Sequence, residues 1–367
     1  MAQLITADGP KPINSWGYRL QGDAANSGRL AIDDVLPTQF DLIAIDFSSD
    51  GLEDRRFFAE DIARIRNRGQ DGIVLGYVAI GGVADYRSMW NPEWTSNGRA
   101  EGETSAAAPS WLAPFDPAWP DGRRVRFWEA DWQSRIFNGY RTGWVDLIAG
   151  QGFDGALVDV TDCLRGTLLP QDNGVPENTE AARRAVDLVL ALARHVKERY
   201  PAFMIVPLNG DLLLDELAAS GSVADAERRD AFLAMISAVA VEDVYCPGPQ
   251  REDNAVHPDE ARIELLVRDV LTRGKPVLSV EYLSDAALVK DYETRCAHHG
   301  FVPYAAPSRD LDRWGEPYTG DAPSVAGLKA ARTRSIPADS ANRSGQQRMP
   351  AQRFRWTRGE ATSAGPP

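Results

Sequence analysis

Eight short Val- and Ile-rich runs, amphipathic stretches between them, and a spacing that spreads the set over residues 13–307 predict an α/β protein folded as a single (β/α)8 barrel of the TIM type. The first run is 13–21 (INSWGYRLQ), followed by 40–47 (FDLIAIDF) and 72–80 (GIVLGYVAI). The fourth to sixth are 153–160 (FDGALVDV), 202–210 (AFMIVPLNG) and 236–245 (ISAVAVEDVY). The seventh is 275–283 (KPVLSVEYL) and the eighth 301–307 (FVPYAAP). Nearly unbroken apolar character, rather than strict alternation, is what a parallel strand needs when both of its faces are covered. Helical spacing of apolar residues occurs near 56–69, 132–150, 176–200, 212–233, 257–273 and 285–298, where crossover helices belong. A doubly wound open sheet is the alternative, but no Gly-rich phosphate loop follows the first run.

Two segments stand outside the repeat. After the third run, residues 84–132 hold six of the ten tryptophans: Trp90, Trp94, Trp111, Trp119, Trp128 and Trp132. Such indoles either pin a long loop to the barrel or offer exposed faces to sugar rings. The expectation is that about four of them pack and one or two remain as a platform. From residue 321 onward the composition turns to Ser, Ala, Arg, Gln and Pro, with eight Lys+Arg against three Asp+Glu. This reads as a basic, poorly ordered tail on a barrel domain of residues 1–320, which itself carries 32 Lys+Arg and 50 Asp+Glu.

With 43% hydrophobic and 25% charged residues, the chain can bury a sizeable core. No apolar run reaches the roughly 18 residues of a membrane span. The net charge of −13 disfavours nucleic acid and anionic membrane as partners and suits a cationic or neutral ligand. Three cysteines and four histidines show no CxxC, HxH or HExxH spacing, so a transition-metal enzyme is not expected, and no cofactor is assigned. Cys163 and Cys246 both follow strand ends, which leaves a disulfide between them open. His195, His298 and His299 read as satisfied or surface histidines rather than catalysts. The first twelve residues lack the basic and apolar regions of a secretory signal, as in a cytosolic chain or a mature exported one.

Several runs end on a polar side chain: Asp46, Asp159, Asn209, Glu242 and Glu281. In a barrel these positions fall at the C-terminal face, so their side chains converge over one mouth. A carboxylate buried there without a partner is costly, and four of them call for a chemical reason. Paired Asp and Glu without a His or Cys metal cluster suit glycoside hydrolysis, where one carboxyl protonates the leaving oxygen and the other attacks or activates water. A Mg²⁺ or Ca²⁺ site from Asp159 with Asp162, or Glu242 with Asp243, is the lesser alternative.

The segments DLIAIDFSSDG (41–51), VLGYVAIGGVADYRSMW (74–90), NPEW (91–94), VRFWEADWQ (125–133), GFDGALVDVTD (152–162), VPLNGDLLLDE (206–216), VAVEDVY (239–245) and KPVLSVEY (275–282) resemble glycoside hydrolase family 114 in order and spacing. The resemblance implies a (β/α)8 barrel with endo-α-1,4-polygalactosaminidase activity, acting on galactosamine-containing polysaccharide or oligosaccharide in an extracellular or periplasmic setting. By motif it makes Asp159 and Glu242 the catalytic carboxylates and places Asp46, Tyr77, Arg87, Asp162, Asn209, Tyr245 and Glu281 around the sugar. One departure stands out: where the family reads SIGE after its third strand, this chain reads AIGG, with Gly82 in place of the acid. The apolar run before Glu242 suits that residue to the acid role and Asp159 to the nucleophile, with the reverse assignment open and Glu281 as the reserve for the pair. The chain is expected to act as a monomer, and the competing function is a barrel that binds amino sugar without cutting it.

Overall fold

The computed structural model of the chain describes residues 2–23, 27–68, 71–115, 117, 120–164 and 178–320. The basic tail and Trp119 fall outside the described residues. A hairpin of β1 (Ala2–Thr6) and β2 (Gly9–Ile13) comes first, then β3 (Trp16–Tyr18), β4 (Leu42–Ile45) and β5 (Ile73–Ala79). A second hairpin pairs β6 (Gly82–Ala84) with β7 (Gly122–Arg124). The main sheet resumes with β8 (Gly155–Asp159), β9 (Met204–Leu208), β10 (Val239–Glu242), β11 (Val277–Tyr282) and β12 (Val302–Ala306).

Each of the eight apolar runs supplies one strand of a parallel sheet ordered β12-β11-β10-β9-β8-β5-β4-β3. Strands β12 and β3 lie side by side, closing the sheet into a (β/α)8 barrel. The Trp16 indole of β3 helps close that seam, donating to the carbonyls of Ser279 and Val302 at 3.1 Å each. Burial on both faces explains the uniform apolar patterns: every residue of β4 and β9 is buried.

The helices are α1 (Ile32–Val35), α2 (Ala59–Arg66), α3 (Ala130–Ile136), α4 (Trp144–Gly150), α5 (Asn178–Arg199), α6 (Gly210–Ala219), α7 (Val223–Met235), α8 (Glu260–Leu265) and α9 (Ala286–His299). Two of the expected helices are split. The 132–150 stretch breaks into α3 and α4, and Asp146 accepts the amides of Asn138 and Gly143 across the break. The 212–233 stretch breaks into α6 and α7 at Gly221, whose φ of +64° ends a helix at little cost for glycine alone. The β1–β2 hairpin lies before the first apolar run and is not among the expected strands; β2 tolerates Pro10 and Pro12 as an edge strand paired with β1.

The β6–β7 pairing joins the start of the Trp-rich insertion to residues 122–124 within it. Above it, Trp90, Trp94, Trp111 and Trp132 form a buried chain of rings with centroids 5.4, 5.0 and 5.0 Å apart. Trp132 anchors that chain to the barrel by donating to the Ile80 carbonyl at 2.8 Å. Trp128 is half-buried, with the Arg184 guanidinium 5.4 Å from its ring. Trp132→Ala removes both the packing and the anchor, so it is expected to destabilise the chain by about 3–5 kcal/mol. A urea midpoint within error of wild type would show the insertion to be uncoupled from the barrel.

Candidate active site

At the C-terminal face, Tyr18, Asp159, Glu242 and Tyr282 are the last residues of β3, β8, β10 and β11. Asp46 and Asn209 directly follow β4 and β9. Glu242 is the most heavily supported of them. Asn209 Nδ2 donates to Glu242 Oε2 at 2.9 Å and Tyr282 donates its hydroxyl to Oε1. Asn209 also reaches Thr161 Oγ1 at 2.9 Å, which links the Glu242 carboxyl to the turn beyond Asp159. Its Oδ1 accepts the Glu242 amide at 3.0 Å and Arg262 Nη2 at 3.3 Å, so the amide cannot turn over without losing both. Asn209 holds φ 60° and ψ 27°, a left-handed conformation that asparagine adopts more readily than most residues. Arg262 grips both carboxylate oxygens of Asp211, at 2.7 and 3.1 Å, and donates to the Glu242 carbonyl at 3.0 Å.

Asp159 is supported differently. Tyr77 donates its hydroxyl to Oδ2 at 2.8 Å, and the Thr161 amide donates to Oδ1 at 2.9 Å. Asp159, Tyr77 and Glu242 are partly open to the mouth, whereas Asp46 is fully buried. Arg87 covers Asp46 with two hydrogen bonds of 2.6 and 3.0 Å and lies 4.6 Å from the Trp144 ring centroid. Expected to line the sugar site, Asp46 is instead sealed from solvent behind Arg87, as a buried carboxylate needs a matched cation.

Burial raises the Glu242 carboxyl to about 7, and the charges of Asp159 and Asp243 push in the same direction. The Tyr282 hydrogen bond and the Arg309 cation pull it back. Tyr18 and Tyr77 are pushed well above the usual phenol value, first by burial and then by neighbouring carboxylates, so both remain hydroxyl donors. A carboxyl that keeps its proton near neutrality, set near a second carboxylate supplied with donors, is equipped for general acid and nucleophile or base work.

The structure does not bring every expected residue into this cluster. Glu281 neighbours Tyr282 on β11, and because side chains alternate along a strand it faces away from the mouth. It is fully buried and accepts the Tyr245 amide at 2.7 Å, fastening the segment after β10. Tyr245 is buried too, its hydroxyl 2.9 Å from His299 Nδ1 and its ring against Tyr292 and Phe301. Asp162 faces Arg124 of β7 at 3.6 Å and ties the insertion hairpin to the β8 end. Gly81 permits that approach, since a Cβ there would meet the Asp162 side chain at 2.7 Å. Cys163 and Cys246 are free buried thiols, so the disulfide left open by the sequence is not formed. His195 is satisfied by Asp146 at 2.8 Å. Among residues that sequence reasoning passed over, Tyr18, Tyr282 and Arg309 belong to the cluster. The first two carry the same strand-end signal as Asp159, on an aromatic residue.

Burial, joined by the Asp243 charge, raises Glu281 to about 8, against the pull of three backbone amides. A carboxyl whose folded value exceeds its unfolded value stabilises the fold fully below the unfolded value, and that stability is lost as pH rises through about 8. Glu281→Gln is therefore expected to flatten the decline of Tm between about pH 4 and 8, the span of the two values. An unchanged slope would remove Glu281 as its source.

The chain is similar to several known proteins. An uncharacterized protein of Thermotoga maritima is 30% identical over 309 residues, covering 82% of each chain. One of Methanocaldococcus jannaschii is 29% identical over 307 residues, covering 81% of this chain and 77% of its own. The glycoside hydrolase domain of PelA from Pseudomonas aeruginosa superposes with a TM-score of 0.50 at 15% identity, over 82% of this chain and 96% of that domain, a likeness of fold. The family model described as glycoside-hydrolase family GH114 matches residues 3–322, which is nearly the whole described chain. With a closed parallel barrel and two accessible carboxylates at its C-terminal face, the chain belongs to glycoside hydrolase family GH114.

Proposed function

We propose that this glycoside hydrolase cleaves α-1,4-linked, galactosamine-containing polysaccharide, with Glu242 as the acid and Asp159 as the nucleophile. The observation that carries the reading is the contrast between the two carboxyls. Glu242 is desolvated and raised to about 7, while Asp159 is held by the Tyr77 hydroxyl and the Thr161 amide rather than by a cation. Elsewhere at the face charges are matched: Asp46 by Arg87, Asp211 by Arg262 and Asp243 by Arg309. The open part of the mouth thus keeps negative charge, which favours an ammonium-bearing sugar over its neutral acetamide. Tyr77 and Arg87 are proposed to shape the sugar subsite, with Asn209 positioning the acid.

Release of reducing ends from partly de-N-acetylated galactosamine polymer tests the reading. Turnover is expected to fall as pH rises through about 7, where Glu242 loses its proton. The cationic polymer is expected to bind more tightly than its fully acetylated form and to weaken as salt rises. Binding without any release of reducing ends would instead favour a non-catalytic amino-sugar binder. Binding indifferent to acetylation and salt would defeat the electrostatic part of the proposal.

A further inference from the structure

Beyond the two carboxylates, a third charged unit borders the mouth. Arg309, in the segment after β12, lies with its guanidinium carbon 3.9 Å from the Tyr282 ring centroid. Its two terminal nitrogens donate to the two carboxylate oxygens of Asp243 at 2.7 and 3.0 Å. Arg309 Nε donates to the Arg251 carbonyl at 2.9 Å, so its side chain is held along its length. Asp243 directly follows Glu242 and adopts φ 52°, and Tyr282 donates to Glu242 Oε1. The fork thus joins the chain neighbour of Glu242 to the aromatic residue that hydrogen-bonds it. A planar guanidinium can stack on a ring and bind a carboxylate bidentately at the same time, which lysine cannot do.

We propose that the Arg309–Asp243 pair positions Glu242, clamping Tyr282 against its carboxyl and placing one charge of each sign beside it. This inference rests on the hydrolase reading for its purpose but not for its test. Arg309 draws the Glu242 carboxyl down, and Asp243 pushes it up. Among the described residues, the other titratable groups at this face come from the other strands. They are Tyr18 of β3, the Asp46–Arg87 pair at the β4 end, Tyr77 of β5 and Asp159 of β8. From outside the barrel, Asp211 and Arg262 are tied to each other. Glu281 of β11 faces away. Changing one member of the Arg309–Asp243 pair leaves all of these in place.

The two halves of the pair must then move Glu242 in opposite directions. In protein carrying carboxyl-labelled ¹³C-glutamate, the Glu242 signal is assigned by its loss in Glu242→Gln and titrated without substrate. Arg309→Met and Tyr282→Phe are expected to raise its midpoint by about one unit, and Asp243→Asn to lower it by a similar amount. Near-UV circular dichroism first establishes that each variant is folded. Asparagine accepts a positive φ as well as aspartate does, so Asp243→Asn keeps the backbone. Should Arg309→Met not fold, Asp243→Asn and Tyr282→Phe still carry opposite expected signs. Shifts of the same sign, or none, in folded variants would overturn the proposal, since a purely structural brace has no reason to reverse sign. In active enzyme the alkaline limb of kcat/KM should follow the same shifts. A wild-type chain inactive on every polymer would count against the hydrolase reading and leave the titration to decide this one.

Discussion

Replacing Glu242 by glutamine is expected to cut turnover of galactosamine polymer by about 10²–10⁴-fold with polymer binding nearly intact. Glutamine keeps the shape and can still meet Asn209 and Tyr282, but it has no proton to give the leaving oxygen. The size of the loss should depend on the leaving group. An aryl aglycone departs without protonation, so on an aryl oligosaccharide Glu242→Gln should recover most of kcat/KM, which reports bond cleavage, while kcat stays low because the same carboxyl must then activate the water that frees Asp159. A loss of equal size on both substrates would move Glu242 out of the acid role. The wild-type decline above about pH 7 should also disappear in this variant, because the group responsible for it is gone.

Asp159→Asn is the second large effect, and it should look different. A nucleophile is needed whatever leaves, so the loss, again about 10²–10⁴-fold or more, should persist on the aryl substrate. Asparagine would also turn a donor toward either the Tyr77 hydroxyl or the Thr161 amide, both of which now donate to Asp159. The same variant tests charge as well as chemistry. Removing an uncompensated anion from the mouth should weaken cationic polymer and leave the acetylated form little changed. Near-normal turnover in Asp159→Asn on a confirmed substrate would show the carboxylate pair to be misassigned.

Much of this arrangement was legible before any coordinates. The eight strands fell inside the eight apolar runs, because burial on both faces of a barrel strand leaves a continuous hydrophobic trace that no surface segment imitates. Strand-end polar residues such as Asp159, Asn209 and Glu242 stood out as breaks in that trace. The packing of Trp90, Trp94, Trp111 and Trp132 followed from their number in one insertion. Helix boundaries were read less well, since residues 132–150 and 212–233 keep helical spacing across the breaks at Asn138–Gly143 and Gly221.

Where a strand-end residue points depends on a single step of register. Glu281 and Tyr282 are adjacent at the end of β11, and the strand-end pattern in the sequence points to the acid rather than the tyrosine. The strand turns Tyr282 to Glu242 and Glu281 to the amide of Tyr245. Glu242, which also ends its strand on an apolar run, is turned the other way. Arg309 shows a second limit: it lies 66 positions from Asp243 in the chain, and no local pattern marks it as that residue's partner. The sequence by itself determined the barrel, the face at which carboxylates gather and Asp159 and Glu242 as candidates, because periodic burial and strand ends are local properties of a chain. Which carboxyl is sealed under Arg87, which fastens a loop and which stays reachable was decided only by the tertiary structure, since closing the barrel is what sets each side chain's facing, its desolvation and its partners from distant strands.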